Sequence, residues 1–189
     1  MLAAERRTLI LEKLIDEKKV VVSELGELFG VSEETIRRDL DKLGKEGMAI
    51  KSYGGAVLNE NNNIDIPFSV RKKKNMPGKQ KIASLIAALI ADGDHIILDP
   101  STTAVSIVKS LQDKERLTII TNSIEVLVEL ADKNGWDIIS TGGTLKENYL
   151  ALVGPRAMEE IASFHADKVI LSCKGIDMQK GITDANDLF

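Results

Sequence analysis

The feature that most constrains the fold is an alternation of short aliphatic runs and helical patterns after residue 67. The aliphatic runs have the length and composition of strands, and they lie at 95–99, 117–121, 136–140 and 168–172. The stretches with helical spacing lie at 78–91, 102–111, 124–133 and 155–164. Strands that alternate with helices in this way predict an α/β domain, with a mostly parallel sheet and helices on its faces.

The first 58 residues follow a different, mainly helical pattern. An apolar helical stripe in the first stretch consists of Ile10, Leu11, Leu14 and Ile15. Ser23 is predicted to cap a second short helix, and Gly30 to form the turn that follows it. Ser32 is then predicted to cap a third helix, whose first turn carries Glu33 and Glu34, where the helix dipole favours negative charge. Two helices joined by a short glycine-containing turn fit a helix-turn-helix.

The third helix has one apolar face and two charged flanks, because successive residues advance about 100° around a helix. The buried face is predicted to hold Ile36, Leu40 and Leu43, and the outer flanks to hold Thr35, Arg38 and Lys42 on one side and Glu34, Arg37 and Asp41 on the other. Arginine binds guanine edges and phosphates well, so this helix is a candidate for DNA recognition. The alternative is a solvated helix with two weak surface ion pairs, Glu34–Arg38 and Arg37–Asp41.

A small hairpin is predicted after this helix, formed by 48–51 and 56–58 around the sequence SYGG. A helix-turn-helix followed by such a hairpin is a winged helix. Lys51 and Tyr53 could then contact the DNA backbone or the minor groove, and the flexible backbone at Gly54 and Gly55 would allow close approach. Two glycines in a hairpin can also be an ordinary turn.

The combination of Arg7, the block SEETIRRDLDKL and the wing sequence SYGGA resembles the DeoR-type family of bacterial transcriptional regulators. The resemblance implies a winged helix whose third helix lies in the major groove of double-stranded operator DNA. Carried over to this chain, the implied contacts are Ser32, Thr35, Arg37 and Arg38.

Small polar residues follow each predicted strand, at the edge where ligands bind in open α/β sheets. They include Asp99, Ser101, Thr102, Thr103, Thr121, Asn122, Gly142, Gly143, Lys174 and Gly175. Hydroxyl groups and helix N-termini favour a phosphate there, and Lys174 could add positive charge. Asp99 would repel a phosphate, so it is expected to accept hydrogen bonds from ligand hydroxyls or to hold the loop backbone. The alternative for each residue is a helix cap that serves stability alone.

The resemblance extends through this half, in the stretches LDPSTTA, IITNS, TGGTL, LVGP and KGIDMQKGITDAN. It implies a sensor domain that resembles the sugar-phosphate isomerase fold and binds a phosphorylated sugar. Two departures stand out. The family usually has glycine where Ser101 stands, and its members usually continue well past a TDAN motif, so the sensor domain is expected to be incomplete here.

The predicted organisation is a winged helix-turn-helix at 3–58, a linker at 59–74 that begins with the polar sequence NENNNIDIP, and an effector-binding domain at 75–189. The predicted function is a transcriptional repressor of a sugar-metabolism operon, controlled by a phosphorylated sugar and acting as a homo-oligomer. No cofactor or metal is expected. The rival hypothesis is a sugar-phosphate isomerase-like enzyme fused to a DNA-binding domain, with Asp99 as a conceivable base but without a clear acid–base partner.

Composition sets further bounds. The formal net charge of −4 argues against a protein that coats nucleic acid by bulk charge. It does not argue against sequence-specific DNA binding, which needs only a few well-placed side chains. The N-terminal residues are too charged for a signal peptide, and no apolar run is long enough to span a membrane, so a cytoplasmic location is expected. The single cysteine, Cys173, allows no internal disulfide and is predicted to be buried.

Overall fold

The computed structural model of the chain describes residues 1–60 and 66–184. The chain divides into two units, Met1–Ile66 and Pro67–Phe189. Residues 61–65 of the predicted linker and the last five residues of the predicted sensor domain lie outside the described part of the chain.

The first unit is a winged helix. Its elements are α1 (Ala3–Glu17), β1 (Lys19–Val21), α2 (Val22–Phe29), α3 (Glu33–Lys45), β2 (Ala49–Ser52) and β3 (Gly55–Leu58). The three strands form an antiparallel sheet in the order β1-β3-β2. The fully buried side chains of the three helices are Ile10, Leu14, Leu25 and Ile36. The apolar stripes predicted for the first and third helices are therefore the faces that form this core.

Two details of this unit differ from the prediction. The second helix begins at Val22, and its N-cap residue Val21 makes no side-chain capping bond, so Ser23 is not the cap. The reason is β1, which was not predicted: pairing of Lys19–Val21 with β3 carries an extended backbone directly into the helix. Gly55 makes this pairing possible, because a Cβ atom there would lie 2.0 Å from the carbonyl oxygen of Val20.

The second unit contains the predicted parallel sheet. Its helices are α4 (Phe68–Lys73), α5 (Met76–Ala87), α6 (Thr102–Lys109), α7 (Ile124–Leu130) and α8 (Pro155–Ser163), with a short 3₁₀ helix at Glu147–Tyr149. Its strands are β4 (His95–Leu98), β5 (Thr118–Thr121), β6 (Asp137–Ser140), β7 (Thr144–Lys146), β8 (Ala151–Val153), β9 (Lys168–Ile170), β10 (Gly175–Asp177) and β11 (Gly181–Thr183). The fold class predicted from the sequence is confirmed.

The sheet order is β6-β5-β4-β9, and all three pairings are parallel. The predicted strands and helices coincide with these elements to within a few residues at each end. Two antiparallel hairpins, β7–β8 and β10–β11, were not predicted. The core between sheet and helices includes Ile96, Leu98, Ile107, Leu117 and Ile119.

Helix α4 occupies part of the stretch that was predicted to be a linker. Phe68 and Val70 are both buried, and Phe68 belongs to the same apolar core as the sheet. Because these two side chains are buried, the segment packs as part of the second unit. Four consecutive basic residues follow Val70. The segment follows a proline and is rich in basic residues, so it shows no apolar helical spacing. The sequence therefore did not predict this helix.

Candidate nucleic-acid interface and ligand site

The start of α3 is capped as the sequence predicts. The Ser32 hydroxyl oxygen accepts a hydrogen bond from the Thr35 backbone N–H at 3.3 Å, and the two hydroxyl groups are 3.0 Å apart. Ser32 is exposed and Thr35 is half-buried. The cap satisfies one of the free N–H groups at the helix start and holds both hydroxyls at the outer surface.

The outer face of α3 carries the predicted arginines. Ile36, Leu40 and Leu43 are buried as predicted, whereas the side chains of Arg37 and Arg38 are 55% and 79% exposed. Lys42 is exposed as well, one turn after Arg38. A helix with this division packs by one face and leaves its cations to solvent or to a partner.

Each of the two arginines forms an ion pair with a glutamate one turn earlier. Arg38 contacts Glu34 at 3.2 Å, as predicted. Arg37 contacts Glu33 at 2.6 Å, and not Asp41, so the predicted Arg37–Asp41 pair is wrong. Asp41 is instead paired with Lys51 of the wing, because β2 brings that lysine to the side of α3 on which Asp41 lies.

The wing stands beside α3. Its β2–β3 turn places Tyr53 fully in solvent, and Gly54 adopts a φ of +77°, which favours glycine. A shallow groove runs between the helix and the wing, lined by Glu34, Arg37, Arg38, Asp41, Lys51, Ser52 and Gly54. Four of the predicted DNA contacts therefore line one groove: Arg37 and Arg38 of the helix, and Lys51 and Gly54 of the wing.

A buried ion pair that the sequence prediction missed fixes α3 to α1. The Arg6 Nε donates a hydrogen bond to Asp39 Oδ2 at 2.6 Å, and the side chains are 8% and 5% exposed. Arg7 contacts the other carboxylate oxygen at 3.5 Å. The position of Asp39, three residues after the buried Ile36, could have revealed its burial from the sequence.

In the second unit, the topology brings the predicted ligand residues to one edge. In the registers of the sheet, Leu98 lies beside Thr121 and Ile170, and Thr121 lies beside Ser140. The loops after β4, β5, β6 and β9 therefore all begin at the carboxyl edge of the sheet. This is the edge at which open α/β sheets bind ligands.

Asp99 holds two of these loops together. Its Oδ1 accepts a hydrogen bond from the Ser101 N–H at 3.1 Å, while Oδ2 accepts from the N–H and the hydroxyl of Ser172 at 2.6 and 2.7 Å. Of the two roles expected for this carboxylate, the structure shows the bonds that hold the loop backbone.

Ser101 caps α6 at the position where the resemblance implies glycine. Its hydroxyl oxygen accepts from the Ala104 N–H at 3.0 Å, and its φ of −88° requires no glycine. The extra atoms are buried inside the loop. Thr102 is buried too, and Thr103, in the first turn of α6, is partly exposed.

Thr121 and Asn122 also make bonds within the protein. The buried Thr121 hydroxyl donates to the Leu98 carbonyl at 2.8 Å and accepts from the Ser123 N–H at 3.1 Å. The Asn122 side-chain amide donates to the Leu152 carbonyl at 3.1 Å. Both side chains thus connect neighbouring segments of the edge.

The glycines of the edge have steric roles. Gly142 and Gly143 have φ values of +62° and +113°, and a Cβ atom on Gly143 would lie 2.7 Å from the Val153 carbonyl oxygen. Gly175 begins β10, and Lys174 before it is exposed. Cys173 in the same loop is exposed, so its predicted burial is wrong: the segment leaves the sheet after Ile170 and is not covered.

No group of acidic, histidine or cysteine side chains in residues 1–60 and 66–184 is arranged to hold a metal ion. The same described part of the chain contains no helix long and apolar enough to cross a membrane.

Two family models match this chain, and together they cover most of it. The DeoR-like helix-turn-helix domain matches residues 6–62, and the DeoR C-terminal sensor domain matches residues 74–188. The chain belongs to the DeoR family. The resemblance found in the sequence is thereby confirmed, and the chain is a DNA-binding transcriptional regulator.

Relatives of known name agree with this family. The chain is 45% identical to the HTH-type transcriptional regulator YulB of Bacillus subtilis, over 99% of this chain and 72% of the relative. It is 36% identical to the transcriptional repressor AccR of Agrobacterium fabrum, over 94% and 69% of the two chains. It is 33% identical to the L-fucose operon activator of Escherichia coli, over 97% and 76%. The names of these DeoR-family relatives denote regulators and not enzymes.

Proposed function

We propose that this regulator represses a sugar-metabolism operon and that a phosphorylated sugar, bound at the carboxyl edge of the sheet, changes its affinity for the operator. The observation that carries the proposal is the exposure of Arg37 and Arg38 on a capped helix beside a wing. The relative named as the L-fucose operon activator supports the class of genes under control, and the relative named as a transcriptional repressor supports repression.

In this proposal α3 lies in the major groove of double-stranded DNA. Arg37 and Arg38 are long enough to form paired hydrogen bonds with guanine edges, and Thr35 can bond a base or touch a thymine methyl group. Ser32, Lys42 and Lys51 contact phosphates and fix the register of the helix. Tyr53 and Gly54, at the tip of the wing, contact the backbone or enter the minor groove.

The effector is proposed to bind where the loops after β4, β5, β6 and β9 meet. Its phosphate lies against the first turn of α6, where the free N–H groups and the Thr102 and Thr103 hydroxyls are donors. Lys174, Gly175, Gly142 and Gly143 border the ligand from the other loops. Asp99, Ser101, Thr121 and Asn122 shape the edge through the hydrogen bonds described above.

Regulation requires that the effector bind one arrangement of the DNA-binding units better than another. We propose a homo-oligomer in the cytoplasm in which two winged helices contact repeated half-sites. Effector binding shifts the population between an arrangement that matches the half-site spacing and one that does not.

We propose that the sensor unit does not turn its ligand over. A general base needs a carboxylate oxygen directed at the substrate, whereas both oxygens of Asp99 accept hydrogen bonds from the loops. Rapid sugar-phosphate isomerisation that Asp99→Asn abolishes would instead support the rival hypothesis of an enzyme.

Three measurements test the proposal. Duplexes selected by the protein from a random-sequence pool should share a repeated half-site. A thermal-shift screen of phosphorylated sugars should find a ligand that the unphosphorylated sugar does not replace. Thr102→Ala should weaken the effect of that ligand on operator binding and leave effector-free operator binding intact. Selection of no common sequence would contradict the DNA-binding assignment, and a screen without hits would contradict the effector class.

A further inference from the structure

The surface proposed to meet DNA contains almost as many carboxylates as cations. We define the contact face as the exposed charged residues between the start of α3 and Lys42, together with the lysine of the facing wing strand: Glu33, Glu34, Arg37, Arg38, Asp41, Lys42 and Lys51. These four cations and three carboxylates give the contact face a net charge of +1. A surface that binds DNA through bulk charge needs a larger excess of cations.

The carboxylates of the contact face are bound to its cations. Glu33 holds Arg37 at 2.6 Å, Glu34 holds Arg38 at 3.2 Å, and Asp41 is paired with Lys51. The pairs cover both elements that flank the groove, since the first two lie along α3 and the third connects α3 to the wing. Lys42 is the cation of the contact face for which the structure shows no carboxylate partner.

These pairs do not prevent DNA binding. All six side chains are between 46% and 79% exposed, and exposed ion pairs contribute little to stability. A guanidinium can therefore leave its glutamate for a guanine or a phosphate. The carboxylate stays beside the DNA, however, and repels the phosphate backbone of any sequence.

The effect of this repulsion differs between the two kinds of binding. Non-specific binding comes almost entirely from neutralised phosphates and released counterions, whereas specific binding adds directional hydrogen bonds to bases. A carboxylate that holds an arginine therefore weakens contact with random sequence more than contact with a matched base.

We infer that Glu33, Glu34 and Asp41 set the selectivity of this regulator by suppressing its binding to non-operator DNA. The inference rests on the proposed operator-binding role of α3 and the wing. It assigns to these three acidic residues a role in discrimination that is separate from the stabilising effect of Glu33 and Glu34 on the helix start. The partner is the same duplex DNA, and these residues weaken binding to sequences other than the operator.

The test compares the double variant Glu33→Gln/Glu34→Gln and the single variant Asp41→Asn with the wild-type protein. Binding is measured to a duplex selected by the wild-type protein and to a scrambled duplex of equal length, over a series of salt concentrations. Each freed cation that reaches a phosphate should tighten scrambled-duplex binding about threefold, so the double variant should gain about tenfold. On the scrambled duplex, the slope of log affinity against log salt concentration should steepen by the amount expected for about two more phosphate contacts. Binding to the selected duplex should change less, so that the ratio between the two affinities falls.

Glu17→Gln is the matched control. It removes one negative charge from an exposed i,i+4 ion pair with Lys13 on α1, and Glu17 does not line the groove. This variant should leave the affinity ratio unchanged. Thermal unfolding of every variant shows whether the loss of an acidic residue at the helix start has destabilised the fold.

Two results would overturn the inference. One is a double variant that binds the scrambled duplex no better than the Glu17→Gln control. The other is a double variant that loses selected-duplex affinity alone, since this would show that a glutamate accepts a hydrogen bond from a cytosine. Failure of the proposed function looks different: the wild-type protein itself would then bind selected and scrambled duplexes equally.

Discussion

The contact face of the winged helix and the carboxyl edge of the sheet use polar residues in opposite ways. On the contact face the charged side chains of Arg37, Arg38 and Lys51 are exposed and are paired with other exposed side chains. At the sheet edge the side chains of Asp99 and Thr121 bind backbone groups of neighbouring loops. The first surface is available to a partner at small cost, and the second is an internal framework.

The difference indicates which groups can bind the ligand of each unit. A DNA duplex can replace the glutamates that hold Arg37 and Arg38, because exposed ion pairs exchange readily. A ligand at the sheet edge cannot take over the bonds of Asp99 without separating two loops. It is therefore expected to use backbone N–H groups and Thr103, while the side chains that are bonded within the edge keep those groups in place.

The largest expected effect comes from a residue of α3 that does not lie on the contact face. Asp39→Ala leaves Arg6 buried without its carboxylate, and loss of one partner of a buried pair destabilises by about 3–5 kcal/mol. Chemical denaturation followed by circular dichroism should show this loss for the first unit. The neighbouring Arg38→Ala serves as the control with normal stability, and equal stability of the two variants would contradict the assignment.

The next effect tests whether the sheet edge is a framework. Asp99→Ala removes the acceptor of three hydrogen bonds, and we expect the second unit to lose about 2–3 kcal/mol of unfolding free energy. Thr103→Ala, at the same edge, should leave stability unchanged and weaken effector binding. If Asp99→Ala is as stable as the wild-type protein and only ligand affinity is lost, Asp99 is a ligand contact and the contrast between the two surfaces fails.

Arg38→Ala tests whether the contact face reads bases of the operator. A paired contact to a guanine predicts a loss of about 1–3 kcal/mol in operator binding, concentrated at one base pair of the half-site. The melting temperature should stay the same, because the side chain is mostly exposed. Titration of the operator and of single-base variants measures both quantities. A uniform loss over all sequences would show that Arg38 contacts a phosphate instead.

The smallest expected effect lies at the opposite edge of the sheet, where an ion pair joins the starts of β4 and β9. The Lys168 side chain donates to Asp94 at 2.6 Å, and this bond, with a second from the Ala91 N–H, holds the pKa of the Asp94 carboxyl below its ordinary value of 3.8. A lowered pKa in the folded state stabilises the fold above the ordinary value, and this stabilisation is lost as the pH falls through the lowered one. We expect Asp94→Asn to cost about 1 kcal/mol at neutral pH.

The measurement is urea denaturation of the wild-type protein and Asp94→Asn from neutral pH to about pH 3. The difference between them should shrink below pH 3.8. Asp132→Asn, an exposed position, removes the same charge and should show no such convergence. A constant difference down to the lowest pH would mean that Asp94 acts through packing and not through its charge.

Much of this architecture could be predicted from the sequence because its determinants are local. The Ser32 cap, the buried stripe of Ile36 and Leu40, and the alternation of strands and helices each depend on residues a few positions apart. The blocks SEETIRRDLDKL and TGGTL, in which the resemblance was found, lie within the domains that the family models match. The convergence of the four loops also followed, because parallel strands share one carboxyl edge.

The partners of several polar side chains could not be predicted, because these partners are distant in the sequence. Asp39 and Arg6 are separated by 33 residues, and Asp99 and Ser172 by 73. The same holds for β1, whose pairing with β3 needs the missing Cβ of Gly55. The sequence by itself determined the elements, their faces and the family. The tertiary structure alone decided which polar groups are bound internally and which face a partner, because hydrogen bonds between distant residues form only when the topology brings them together.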